Sequence, residues 1–179
     1  MKLDEAIYGR RSIRKYIDKP VSREDIMEIV KAGIAAPSWR NSQVSRYYVV
    51  DDKEGRAAFT ECMAGFNVPR TENAGAIIVT TVVDGFSGYT DNGDYATHLG
   101  IGFETFDNGL QVQNMLLKAY ELGLGTLIMG LYDEKKVREF FGIPEDQIIV
   151  TLIAVGYTED KPMMPHRNNP ENVVSFYSK

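Results

Sequence analysis

Cysteine is almost absent from this 179-residue chain: Cys62 stands alone. That excludes an internal disulfide and any zinc site built on thiolates, and Cys62 reads as a small buried hydrophobe. Only two histidines occur, His98 and His166, and neither has a partner at metal-ligand spacing. No G-x-G-x-x-G follows a strand-like run, there is no P-loop, and two histidines support no Ser-His-Asp arrangement. Hydrolysis and nucleotide-triphosphate chemistry therefore fall behind. No run of eighteen apolar residues is present, and MKLDEAIYGR lacks the apolar core of a signal peptide, so no membrane span and a cytoplasmic location are expected. Lys and Arg are missing altogether from 71–117, which hold six Asp/Glu. With a net charge of −5, the chain lacks the basic face that nucleic-acid binding needs.

What is present concentrates at the two ends. Residues 1–40 carry nine Lys/Arg against six Asp/Glu, and YGRRSIRKY gathers Arg10, Arg11, Arg14 and Lys15 around the Ser12 hydroxyl. Guanidinium forks and a hydroxyl match the oxygens of a phosphate. A run of charges is ordinarily only a solvated face, so the cluster needs support from elsewhere.

Length and a hydrophobic content of 44% fit one domain spanning 1–179. Leu3, Ala6 and Ile7 share one face of a short opening helix. Ser22 to Asp25 reads as a capping box for a helix with Ile26, Ile29, Val30 and Ile34 inward, ended by Pro37. RYYVV (46–50) reads as a strand. A helix over 53–64 is expected to turn Ala57, Ala58 and Cys62 inward. AGAIIVTTVV reads as a buried strand. Residues 84–104 have no period and read as a long loop, with Phe86, Tyr89, Tyr95 and His98 as candidate walls of a substrate pocket; for His98 alone, an exposed or satisfied side chain is the plainer reading. From Thr105 to Leu122 a helix is expected with Phe106, Leu110, Leu117 and Tyr120 on an apolar face broadened by Met115 and Leu116. Gly123 and Gly125 turn it into the strand TLIM. Asp133 caps a helix through Phe141, Gly142 ends it, and 148–155 forms another strand. Residues 157–179 have no core of their own, and Val173, Val174 and Phe176 suggest docking. About four strands alternating with helices give an α+β fold: a mixed central sheet sandwiched by helices.

Four stretches taken in order, R-R-S-x-R, APSWRNSQ (36–43), FNVPR (66–70) and ELGLGTLIMG (121–130), resemble the FMN-dependent nitroreductase family over nearly the whole chain. The resemblance implies FMN as bound cofactor and NAD(P)H as co-substrate. It implies the phosphate on Arg10, Ser12, Arg14 and Arg167, with Arg11 and His166 as further cofactor-binding residues and Pro165 where relatives often have Lys. It places Asn67 and Arg70 at the pyrimidine edge of the ring, with Arg70 as electrostatic support, and the backbone of Leu127, Ile128, Met129 and Gly130 along the flavin face. Pro37, Ser38, Trp39, Asn41 and Gln43 would come from the opposite subunit of a homodimer, onto which the C-terminal extension 157–179 would cross. The implied activity is ping-pong hydride transfer to nitroaromatics, quinones or similar electron-poor acceptors, with no catalytic acid or base. Two alternatives stand beside it: a flavoenzyme of the same fold with other chemistry (ene reduction, dehalogenation, flavin breakdown), and a non-enzymatic phosphate- or anion-binding module.

Overall fold

The computed structural model describes residues 1–178. Four strands, β1 (Ser45–Val50), β2 (Ala76–Val83), β3 (Gly125–Met129) and β4 (Gln147–Gly156), pair in the order β1-β2-β4-β3. All three pairings are antiparallel. The one parallel contact at the sheet among the described residues is an isolated bridge, Ser12 to Thr126, on the outer side of β3.

β2 runs through the centre and is buried along almost its full length. Its apolar residues alternate between two layers, which is why the sequence there is a continuous hydrophobic run and not an alternating one. Ile77 and Val79 face a layer built from α3 (Lys53–Phe59), α4 (Val68–Thr71) and α6 (Glu134–Phe141), with Phe59, Met63, Val137, Leu152 and Ala154. Ala76 and Ile78 face the other layer, α2 (Arg23–Ile34) and α5 (Gly102–Glu121), with Ile26, Ile29, Val112, Met115 and Leu116. The two threonines that follow are satisfied sideways: Thr80 donates to Asn108 Oδ1 at 3.0 Å and Thr81 to Gln147 Oε1 at 2.6 Å. The pairing with β4 shifts register between them.

Local signals set the helix ends. Ser22 Oγ accepts from the Asp25 N–H at 3.0 Å, and Asp133 caps α6 by accepting from Lys136 N–H. Gly123 and Gly142 adopt positive φ at the ends of α5 and α6, the conformation a residue with Cβ resists.

Four expected burial patterns differ. In α2 Ile26 and Ile29 are buried, but Ile34, in the last turn, is 55% exposed. α3 stops at Phe59, which is fully buried, while Ala57 and Ala58 are exposed. The helix is shorter than its periodicity suggested, because Thr60 to Cys62 tighten into a 3₁₀ turn that directs Cys62 inward. In the opening helix α1 (Leu3–Gly9) only Ala6 is buried; Leu3 and Ile7 are exposed. Most consequentially, α5 buries Met115 and Leu116 as expected but departs from the expected face in its N-terminal half. Its buried stripe is Glu104, Asp107, Asn108, Gln111, Val112, Met115, Leu116 and Ala119, while Phe106 is 54% exposed. The N-terminal half of this helix buries polar side chains that each find a hydrogen-bond partner, with Glu104 Oε2 alone among their oxygens left buried without one.

Candidate functional site

Ser12 lies beside β3, and its neighbour Ile13 donates its N–H to the Thr126 carbonyl at 2.8 Å. This bond anchors the arginine segment along the sheet edge. The fit is close: a Cβ on Gly125 would lie 2.6 Å from Ile13 Cγ1, so only glycine admits the segment.

Arg10, Arg11, Ser12 and Arg14 then line a cavity of about 250 Å³ together with Pro162, Met163, Pro165 and Arg167. Four guanidinium groups thus converge from the two ends of the chain, and among the described residues none of the four has a carboxylate partner. Arg11 Nη1 donates to the Tyr8 and Arg10 carbonyls, and Arg14 Nη1 to the Ser12 carbonyl. The Nε atoms of Arg10 and Arg11 are buried with no hydrogen-bond partner. Burial, then the charges of Arg11 and Arg167, push the Arg10 guanidinium below its ordinary pKa. A cluster of mutually repelling cations with donors unused is built for an anion, and a phosphate monoester suits its size and donor set. Against this, His166 is exposed in the tail and is not among the residues lining the cavity.

The cradle continues along an open sheet edge. β3 is the outer strand, and since Thr126 directs its carbonyl outward to Ile13, Ile128, two residues on, directs its backbone groups to the same side. Ile128 is 46% exposed, whereas Leu127 and Met129 bury their side chains in the core; of that pair only backbone can reach a ligand. Gly130 is exposed. At the far end Asn67, buried at the start of α4, donates Nδ2 to the Leu131 carbonyl at 3.4 Å. Arg70 is exposed, its guanidinium 5.1 Å from the Phe66 ring centroid. From Thr126 to Leu131 the strand spacing gives about 16 Å, so anion cradle, open edge and amide lie in one line.

The loop 36–43 is elsewhere. Trp39 N–H donates to Asp107 Oδ2 at 2.8 Å, and the Trp39 ring meets Phe103 edge-on at 4.8 Å. Both partners are near the start of α5, while the arginine cradle neighbours Tyr120 and Gly123 at its end. The 13 residues from Asp107 to Tyr120 span about 20 Å of helix. One chain therefore does not bring Pro37, Ser38, Trp39, Asn41 and Gln43 to its own Arg10. The loop is also strained: Arg40, Asn41 and Gln43 all have φ between 46° and 57°. Pro37, Asn41 and Gln43 are exposed, Ser38 Oγ accepts from Gln43 N–H, and Trp39 Nε1 is buried without a partner. Non-glycine residues held at positive φ mark places where surroundings override local preference.

Phe86, Tyr95 and His98 are exposed on the 84–101 loop and Tyr89 is half-buried, its ring 5.0 Å from that of Tyr95. None of these four lines the arginine cavity or either of two larger cavities. Sequence reading missed Glu104 and Asp107. Their signal was a series of polar residues at 104, 107, 108 and 111, one face of a helix.

The family model for the nitroreductase family matches residues 7–83 and 66–157. A candidate NADH dehydrogenase/NAD(P)H nitroreductase of Archaeoglobus fulgidus is 34% identical over 160 residues, covering 87% of this chain and 84% of that protein. The NADPH-flavin oxidoreductase of Vibrio harveyi is 31% identical over 184 residues, covering 95% and 71%. In structure, a nitroreductase family protein of Streptococcus pneumoniae superposes with a TM-score of 0.85 at 22% identity, covering 98% of this chain and all of that one. Sequence match and shared fold agree: this chain belongs to the nitroreductase family.

Proposed function

We propose that the chain is an FMN-dependent NAD(P)H oxidoreductase that passes two electrons to nitroaromatics, quinones or similar electron-poor acceptors, acting as a cytoplasmic homodimer. The observation that carries the reading is the carboxylate-free convergence of Arg10, Arg11, Arg14 and Arg167 on one cavity continuous with an open sheet edge. The names of relatives as NAD(P)H nitroreductase and NADPH-flavin oxidoreductase support it.

Bound FMN supplies the two-electron chemistry between nicotinamide and acceptor. The protein supplies position and field. Arg10, Arg11, Ser12, Arg14 and Arg167 hold the phosphate. The outward backbone of Ile128 and Gly130 meets the ring, Asn67 its edge amides, and Arg70 adds positive charge where added electrons accumulate. Ser38, Asn41 and Gln43 complete the pocket from the partner copy, a reading supported by the roughly 20 Å of α5 that separates this loop from the arginines of its own chain. Met163, Val173, Phe176 and Tyr177 are exposed apolar groups on an extended tail, suited to cross onto that copy. Phe86, Tyr89, Tyr95 and His98 would then border the acceptor.

The test is the visible spectrum of the protein after incubation with FMN and desalting, followed anaerobically by NADH or NADPH. A retained yellow chromophore that bleaches and is recoloured by a quinone or nitroaromatic is expected; no retained flavin would overturn the reading. Light scattering should give the mass of two chains. A single-chain mass with tightly held flavin would sink the shared site.

A further inference from the structure

Asp107 is 2% exposed, and one of its oxygens, Oδ2, accepts two hydrogen bonds. One comes from the Trp39 N–H of the 36–43 loop at 2.8 Å, the other from the Ser87 hydroxyl of the 84–101 loop at 2.6 Å. Ser87 is itself fully buried. One turn earlier Glu104 Oε1 accepts from Gly85 N–H at 2.9 Å and Phe86 N–H at 3.2 Å. The other direct tie between the loops, Arg40 to Asp91, joins side chains 63% and 96% exposed, where an ion pair contributes little.

We infer that Asp107 is a positioning residue that couples the cofactor loop to the acceptor loop through a single carboxylate oxygen. The functional half of this rests on the flavin reading; the structural half does not. The 36–43 loop holds three non-glycine residues at positive φ, a conformation that persists only where surroundings impose it. A buried carboxylate accepting from its backbone is such an imposition, since charge-assisted bonds are the stronger polar contacts. The same oxygen fixes Ser87, four residues after the end of β2 and one after Phe86. Displacing either donor leaves the carboxylate free to follow the other, so order in one loop favours order in the second. Flavin held against the 36–43 loop would thereby set the 84–101 loop for the acceptor, and the converse follows by linkage.

Trp39 is the chain's only tryptophan, so its fluorescence reports on the 36–43 loop alone. The test compares full-length wild type, Ser87→Ala, Asp107→Asn and Asp107→Ala. In flavin-free protein, Ser87→Ala should shift Trp39 emission to longer wavelength although Ser87 belongs to the other loop. FMN Kd should rise several-fold in Ser87→Ala and about tenfold in Asp107→Asn, the scale of a lost charged hydrogen bond. Asp107→Ala should be weaker still, because Asn keeps an acceptor oxygen. Emission and FMN Kd both unchanged in Ser87→Ala, with only the acceptor KM altered, would overturn the coupling. If wild type retains no FMN, the oxidoreductase reading fails, and Trp39 emission in Ser87→Ala still decides whether the loops are joined.

Discussion

Ile13 and Thr126 are joined by a backbone hydrogen bond of 2.8 Å that fastens the arginine segment to the edge of β3. The bond forms only because Gly125 has no side chain. Gly125→Ala would place Cβ 2.6 Å from Ile13 Cγ1 and 3.0 Å from Thr158 Cγ2, and Ile13 is 5% exposed with no room to yield. We expect a loss of about 1–3 kcal/mol in stability, read by denaturant unfolding, and a weaker FMN complex as the cradle shifts.

Arg10→Ala separates ligand binding from folding. Its guanidinium is disfavoured by burial and by Arg11 and Arg167, so the flavin-free variant should unfold at the wild-type temperature or above it. FMN affinity should fall about 10- to 100-fold, as for one charge-assisted phosphate contact. Titration of fluorescence quenching and thermal scans with and without FMN give both numbers. Arg14→Ala should behave alike in affinity; unchanged affinity in both variants would remove the anion site.

Glu104 is fully buried, and burial, its largest cause, raises its carboxyl above the ordinary range. The backbone N–H donors of Phe86 and Gly85 oppose the shift without reversing it. In the window between the unfolded value and the raised folded value, the native state holds the proton and the unfolded state has released it. Stability contributed by this group is therefore present at low pH and lost as pH rises through that window. Glu104→Gln, which can still accept from Gly85 and Phe86, should flatten this dependence and be the more stable form at neutral pH. A change of about 1 kcal/mol corresponds to about 2–4 °C in a chain of this size. Thermal scans from pH 4 to 7 on both proteins decide it.

Phe59 is fully buried and contacts the rings of Phe140 at 5.1 Å and Phe141 at 5.6 Å. Phe59→Ala should cost about 3–5 kcal/mol. Ala58→Ser, one residue earlier on an exposed position, should change stability little, which urea unfolding of both variants would show.

Elements with a strong local signature were legible from the chain alone. β2 and β4 are β-branched runs buried on both faces, the Ser22 and Asp133 caps satisfy a backbone N–H three residues on, and Gly123 and Gly142 mark helix ends. The arginines at 10, 11 and 14 could be read as an anion site because they are neighbours in sequence. What the sequence hid depends on partners far along the chain. Met115 and Leu116 are buried as expected, but the N-terminal half of α5 turns a different face inward, because Glu104, Asp107, Asn108 and Gln111 look like a solvated surface. Their hydrogen-bond partners, Gly85, Ser87, Ser45 and Tyr47, become visible only when the sheet and loops are in place. Phe59 was overlooked for a related reason: a helix one turn shorter than its pattern points a different residue inward. His166 and Arg167 are adjacent in sequence, yet only Arg167 reaches the cradle, a difference that an irregular tail does not encode in any period.

The distance between the two ends of α5 also bears on inheritance. A chain carrying Arg10→Ala is damaged only at the cradle, and one carrying Asn41→Ala only at the loop. If each site draws its cradle from one chain and its loop from the other, neither variant alone assembles a sound site. When both are made in one cell, every mixed dimer collects the two lesions in one site and leaves the other intact. Two impaired alleles would then complement each other.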